Sequence, residues 1–169
     1  MSVLAAALND AARLTGSFLL RSGTTSTEYF DKYRFEARPD LLAQVAAELA
    51  LLVPDDTEVL AGLELGGIPI ATALSLHTGI PAAFVRKKAK EYGTQRLAEG
   101  AEISGRRVLV VEDVVSTAGQ IVSSTRDLRS LGAEITTAVC VIDRESGGSS
   151  ALGEVDVELR SLFTRSDLG

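Results

Sequence analysis

Val108 to Val111 is apolar at every position and runs directly into Glu112 and Asp113. A strand exposed on one face alternates apolar and polar residues, so an unbroken apolar run marks a central strand of a parallel sheet, buried on both faces. A sheet of that kind must be covered by helices on both sides, which restricts the chain to a layered α/β fold. Ligands of open parallel sheets bind at the carboxyl ends of the strands. Here that end carries two adjacent carboxylates, followed by Val114, Val115 and the small-residue turn Ser116-Thr117-Ala118-Gly119-Gln120. Backbone N–H groups of such a turn can converge on an anion, and the next helix adds its positive end. Carboxylates accept hydrogen bonds from sugar hydroxyls, so a phosphorylated sugar suits both halves of the segment. Thr117 and Gln120 also satisfy the spacing of a capping box. Capping, however, leaves Glu112 and Asp113 without a role. A metal-chelating pair is disfavoured because adjacent strand residues point to opposite faces.

The rest of the chain supports the same architecture. Apolar spacing predicts a helix from about Val3 to Leu14 and short extended pieces at Ser17 to Leu20 and Glu28 to Asp31. Pro39 suits the first turn of a helix reaching about Leu52. Glu58 to Leu63 reads as a strand, Gly66-Gly67 opens a helix to about Leu76, and Ala82 to Val85 is another strand. After the Val108 strand come a helix over Ile121 to Leu131, stopped by Gly132, and strands at Ile135 to Ile142 and Val155 to Leu159. Strands alternating with helices give a mostly parallel central sheet flanked by helices, within a single domain over residues 1–169.

Lys87 to Gly105 breaks the rhythm. It is too long for an ordinary connection, so a lid, a hairpin or disorder is expected there. Between Arg86 and Arg96 lie Arg86, Lys87, Lys88, Lys90 and Arg96 against the single acid Glu91. That local excess stands out in a chain with 17 Lys and Arg, 23 Asp and Glu and a net charge of −6. Such a balance argues against a broad nucleic-acid or anionic-membrane surface, so any anion site must be local. The single cysteine, Cys140, cannot form an intrachain disulfide, and its apolar surroundings read as a buried strand thiol. Met1 to Thr15 lacks the pattern of a signal peptide, and Leu41 to Val53 is too short and too polar to span a membrane. A cytoplasmic location is the expectation.

Val108 to Gln120 resembles the PRPP-binding motif of type I phosphoribosyltransferases, in which the acids hold the ribose hydroxyls and the turn holds the 5-phosphate. Arg86-Lys87-Lys88-Ala89-Lys90-Glu91-Tyr92-Gly93 resembles the mobile catalytic loop of the orotate phosphoribosyltransferases, whose basic residues reach the pyrophosphate of PRPP. Arg21-Ser22-Gly23 with Glu28-Tyr29-Phe30-Asp31 is similar to their N-terminal hood, and Gly62 to Pro69 occupies the place of their pyrophosphate loop. Asp143 to Gly148 lies where they carry an arginine for the base carboxylate, and Ser161 to Thr164 followed by Asp167-Leu168 resembles their C-terminal ending.

The resemblance implies a type I phosphoribosyltransferase fold with a hood over about residues 15–35 and a mobile loop over about 87–105. It further implies transfer of ribose 5-phosphate from PRPP to orotate in pyrimidine biosynthesis, with Mg2+ as cofactor, held mainly by PRPP rather than by protein side chains. Lys90, Lys87 and Asp113 are then the catalytic candidates. PRPP would be bound by Arg86, Lys87, Lys90, Glu112, Asp113, Ser116, Thr117, Ala118, Gly119, Gln120, Gly66 and Gly67, and orotate by Phe30, Ser116 and Arg144. A homodimer with loop residues acting across the interface is also implied.

The pattern departs at three places. Relatives often carry histidine where this chain has Tyr92, a hood lysine where it has Thr25, and a lysine before Gly-Ile-Pro where it has Gly66. Two other readings share the motif: a phosphoribosyltransferase for another nucleobase, and a non-catalytic PRPP-binding regulator. The basic loop and Arg144 favour orotate over the first. The absence of a basic nucleic-acid face or a helix-turn-helix segment weighs against the second.

Overall fold

The computed structural model describes residues 2–19, 23–89 and 96–168. Helix α1 (Val3–Ala12) is capped by the Ser2 hydroxyl, which accepts from the Ala5 N–H at 3.0 Å. Strands β1 (Arg13–Leu19) and β2 (Thr25–Phe30) then form a small antiparallel sheet of their own, longer than the extended pieces expected there. A four-residue helix α2 (Tyr33–Glu36) leads to α3 (Pro39–Ala50), which begins at the expected proline.

The main sheet is built from β3 (Val59–Leu63), β4 (Ala82–Val85), β5 (Ala98–Gly100), β6 (Val108–Val115), β7 (Thr137–Asp143) and β8 (Glu158–Thr164), in the spatial order β5-β4-β3-β6-β7-β8. All neighbours are parallel except β4 and β5. Helices α4 (Gly67–Thr78) and α5 (Gly119–Ser130) supply the crossovers beside β6, and α6 (Gly148–Gly153) and α7 (Arg165–Leu168) flank the final strand. The expectation of a mostly parallel sheet with helices on both faces holds.

Alternation along the strands separates two cores. Leu109 and Val111 of β6 pack with α1, α3 and α4, through residues such as Leu8, Val45 and Leu74. Val108 and Val110 face the other side, with Ile121 and Leu128 of α5 and Leu152 of α6. Each fully buried aliphatic side chain contributes about 1.5–3 kcal/mol of transfer free energy, so both faces of β6 are strongly specified. Cys140 is completely buried on β7, and burial raises its thiol pKa. It is the inert strand thiol expected. Gly132 takes φ 92° just past α5 and donates to the Arg129 carbonyl at 2.9 Å, ending the helix as its sequence position suggests.

Some boundaries differ from expectation. β6 continues past the apolar run to Val115 because β7 runs alongside it, pairing Glu112 with Cys140 and Val115 with Asp143. Both carboxylates therefore lie inside the strand rather than after it. The last strand is displaced from Val155–Leu159 to Glu158–Thr164, since pairing with β7 starts only at Thr137 opposite Glu158 and Val157 is used to fill the core. The long connection after β4 starts and ends as a hairpin: Val85 pairs with Ala98, and the Arg86 N–H donates to the Leu97 carbonyl at 2.9 Å. Its stretch 90–95 lies outside the described residues.

Candidate active site

The chain leaves β3 toward β4 on one side and β6 toward β7 on the other, so the strand order reverses between β3 and β6. Crevices at the carboxyl ends of such a pair are where open α/β sheets bind ligands. Four connections meet there: Glu64–Gly66 after β3, the stretch after β4, the turn after β6 and the turn after β7.

The turn after β6 is built for an anion. Ala118 adopts a left-handed conformation, φ 59° and ψ 9°, at the start of α5, and no side chain caps that helix. A left-handed alanine costs about 1–2 kcal/mol, which is characteristic of loops held for function. The capping box suggested by Thr117 and Gln120 does not form, since the Gln120 amide donates instead to the Ser124 hydroxyl at 3.0 Å. Thr117, Gly119 and Gln120 are exposed and Ser116 is partly so, around the first N–H groups of α5. An uncapped helix start in this position suits a phosphate.

Asp113, by contrast, has no solvent exposure. Its Oδ1 accepts from the Val114 N–H at 2.5 Å, and its Oδ2 lies 2.5 Å from Lys32 Nζ. Glu112 is partly exposed, and its Oε1 accepts from the Asp113 N–H at 3.1 Å. A third carboxyl, Glu36 of α2, is buried against Asp113. Burial and the Asp113 carboxylate raise Glu36 to about 8, and burial and the hydrogen bond with Asp113 raise Glu112 to about 9. Burial alone would raise Asp113 too, but hydrogen bonds with Glu112 and Lys32 and the Lys32 charge bring it below its ordinary value. The cluster thus favours the protonated forms of Glu36 and Glu112 around an ionised Asp113 paired with Lys32.

Gly66 and Gly67 are explained by packing. A Cβ on Gly66 would collide with the Asp113 carboxylate, and one on Gly67 with the Val111 carbonyl oxygen. Gly66 has ordinary helical angles, φ −70° and ψ −29°, so the need is for space rather than for an unusual turn. Nearby, the Glu64 carboxylate accepts from the Lys87 N–H. Arg86 is partly buried, and its Nε has no hydrogen-bond partner among the described residues. An orphaned guanidinium N–H beside this crevice suits an anionic ligand. Lys87 is exposed, and Lys90 and Tyr92 lie outside the described residues.

Beside the acids opens a cavity of about 470 Å³, lined among others by Phe30, Ser116 and Arg144. The three residues expected around a base thus meet at one place, although β2, the turn after β6 and the turn after β7 supply them separately. Phe30 packs against Phe35 with ring centroids 6.4 Å apart, and half-exposed Tyr29 stacks on Phe18 at 5.5 Å, so each aromatic supports the hood as well as lining the cavity. Arg144 is exposed, with its N–H bonded to the Val115 carbonyl at 2.8 Å. Arg13, Lys32 and Arg165 add positive charge to the lining, against Glu28 and Asp31.

Sequence reasoning missed Lys32, Glu36, Arg13 and Arg165. The available signal was the i, i+4 spacing of Lys32 and Glu36 next to the aromatic pair. Among the described residues, no group of three or more His, Cys, Asp and Glu side chains could hold a metal ion. No helix of the described residues is long and apolar enough to cross a membrane.

Comparison with known proteins agrees with this geometry. Residues 34–156 match the phosphoribosyl transferase domain family. An orotate phosphoribosyltransferase of Nocardioides sp. is 54% identical over 167 residues, covering 99% of this chain and 93% of the relative, and one of Methanocella arvoryzae is 44% identical over 153 residues, covering 90% and 87%. The crystal structure of Mycobacterium tuberculosis orotate phosphoribosyltransferase in complex with Fe(III) dicitrate superimposes with a TM-score of 0.90 at 34% identity, covering 98% of this chain and 97% of that one. The same enzyme in complex with PRPP gives a TM-score of 0.85 at 31% identity, with coverage of 98% and 96%. By sequence over nearly its whole length, and by fold, the chain belongs to the type I phosphoribosyltransferase family, with orotate phosphoribosyltransferases as its relatives.

Proposed function

We infer that the chain is an orotate phosphoribosyltransferase, a pentosyltransferase that moves ribose 5-phosphate from PRPP to orotate and releases pyrophosphate and orotidine 5'-monophosphate. The observation that carries this reading is the meeting of Phe30, Ser116 and Arg144 in one cavity beside the uncapped start of α5. A planar base fits against Phe30, a base carboxylate suits the fork of Arg144, and a 5-phosphate suits the N–H groups of residues 117–120.

In the reaction, the bond between the ribose anomeric carbon and pyrophosphate breaks, with its electron pair leaving on pyrophosphate, and a ring nitrogen of orotate, having given up its proton, bonds to the same carbon. The transition state has cationic ribosyl character, so the protein acts by positioning and electrostatics. Glu112, the partly exposed acid of the pair, meets the sugar hydroxyls, and the buried Asp113 carboxylate beside it places negative charge near the ribosyl group. Arg86, Lys87 and Lys90 meet the leaving pyrophosphate, and a flexible ammonium such as Lys90 can follow the developing charge. Closure of the loop between β4 and β5 would exclude water as a competing nucleophile. Gly66 and Gly67 let the pyrophosphate loop lie close to β6.

Mg2+ is the proposed cofactor. PRPP oxygens would supply most of its ligands, and the ion would offset phosphate charge. The proposed organisation is a single domain with a hood over about residues 15–35, acting in the cytoplasm as a homodimer whose loops reach the partner's site. The reading is tested with purified protein, PRPP, Mg2+ and orotate by following the loss of orotate absorbance. Turnover supports it, whereas PRPP binding without turnover on any base would make the chain a PRPP-binding regulator.

A further inference from the structure

The Lys32–Glu36–Asp113 cluster is not accounted for by the reaction just described. Lys32 stands between β2 and α2, and Glu36 is on α2, so both come from the N-terminal segment rather than the main sheet. They converge on one residue of the central strand. The Lys32 side chain is 31% exposed and lines the cavity, while the Asp113 side chain it meets at 2.5 Å is wholly buried. On its other side Asp113 is packed so closely against Gly66 that no side chain fits between them. The carboxylate is thus clamped between the start of α4 and the Lys32 ammonium.

Below it, both Glu36 carboxyl oxygens are buried without a hydrogen-bond donor among the described residues. A carboxyl facing a carboxylate without other donors is satisfied only if it carries the proton and donates it. A buried carboxylate that had lost its ammonium would be disfavoured, because Lys32 is the cation paired with it among the described residues. Packing density alone does not require this arrangement, since an apolar trio would fill the same space without the desolvation cost.

We propose that Lys32 is a positioning residue for Asp113, holding that carboxylate charged and fixed beneath the ribose site while Glu36 steadies it from the other side. The proposal rests on the functional reading above and deepens it. The N-terminal hood then does more than cover the base, because its own ammonium sets the state of an acid in the sugar site. Movement of the β2–α2 segment would be felt directly at Asp113. The charged and titratable groups around this acid are Asp31, Lys32, Tyr33 and Glu36 from the hood, Glu112 on its own strand and Cys140 on β7.

The test compares wild type, Lys32→Gln and Lys32→Arg in steady-state kinetics over pH 4 to 9. Removing the ammonium raises KM for PRPP by about tenfold or more with a smaller change in kcat, the signature of lost binding to a group shared by ground and transition states. It also moves the acid limb of kcat/KM for PRPP upward by about one to three pH units, since Asp113 then ionises later. Lys32→Arg, which keeps the charge, restores the limb and most of KM. An unmoved acid limb with KM within twofold in folded Lys32→Gln overturns the proposal, as does equal damage from both substitutions.

If Lys32→Gln does not fold, the carboxyl carbon of Asp113 is titrated by NMR in the wild-type protein. Ionisation below the ordinary carboxylate value supports the proposal, and an ordinary or raised value overturns it. An inactive wild type signals failure of the functional reading instead. PRPP affinity of the same three proteins, measured by calorimetry at pH 5 and 7, then decides the role of Lys32: a loss in Lys32→Gln that Lys32→Arg restores supports it, and equal affinities overturn it.

Discussion

Replacing Gly66 with alanine perturbs the sugar site through a single methyl group. The added carbon falls onto the Asp113 carboxylate, with even the farther oxygen, Oδ1, only 3.1 Å away. The carboxylate cannot withdraw freely because Oδ1 is bonded to the Val114 N–H at 2.5 Å and Oδ2 is paired with Lys32. Either the start of α4 shifts or the ion pair opens. Overpacking a well-filled site costs about 1–3 kcal/mol. Opening a buried pair costs about 3–5 kcal/mol, the lower end applying here because Lys32 can turn toward water. The two costs are alternatives, so a loss of about 3 kcal/mol is expected. For a domain of this size each kcal/mol lowers Tm by about 2–4 °C, giving a fall of roughly 6–12 °C. Thermal unfolding followed by circular dichroism measures it, and PRPP affinity should fall alongside. A Gly66→Ala protein with Tm within one degree of wild type and unchanged PRPP affinity would refute the reasoning, because the close approach of α4 to Asp113 would then carry no energetic weight.

Other substitutions separate the parts of the site. Arg144→Ala should raise KM for orotate by roughly 10- to 100-fold, the worth of a charge-assisted fork, while leaving KM for PRPP within about threefold, as steady-state kinetics with each substrate varied will tell. Lys90→Ala should lower kcat by about 10²-fold, in line with removal of one charge-stabilising donor, and unchanged turnover would remove its role. Leu128→Ala empties a fully buried position of α5 and should cost about 2–5 kcal/mol in urea unfolding without altering KM for either substrate. Stability should also respond to pH through Glu36. Its folded pKa of about 8 stands above the ordinary value of 4.5, so its contribution is complete below pH 4.5 and is lost as pH rises toward 8. Urea midpoints should accordingly fall between pH 5 and 8, and Glu36→Gln should flatten that slope; parallel profiles in the two proteins would contradict it.

Much of this arrangement is legible in the sequence for identifiable reasons. The run Val108–Val111 is apolar throughout, so its burial on both faces follows from composition alone. Pro39 and Gly132 mark helix ends through backbone chemistry that does not depend on context. Phe30, Ser116 and Arg144 were found by resemblance and not by spacing, because three separate connections bring them together. Helices α2 and α6 and strand β5 span only three to six residues, too few for any periodicity to show. Lys32 and Glu36 were hidden for a different reason: charged residues near a short helix read as solvent-facing, and only the tertiary fold sets them against Asp113. The glycines at 66 and 67 look like turn formers, whereas their neighbours across the chain, Asp113 and Val111, give them their purpose.

The central claim is that this cavity accepts a base bearing a carboxylate. Its most direct test is a side-by-side measurement of kcat/KM with PRPP and Mg2+ for orotate, uracil, hypoxanthine and xanthine. A site whose arginine fork is built for a carboxylate discriminates strongly against an analogue lacking it, so orotate should exceed uracil by at least about 10³-fold and both purines by more. Uracil within tenfold of orotate, or a purine preferred over it, would contradict the assignment of Arg144 and of the substrate together.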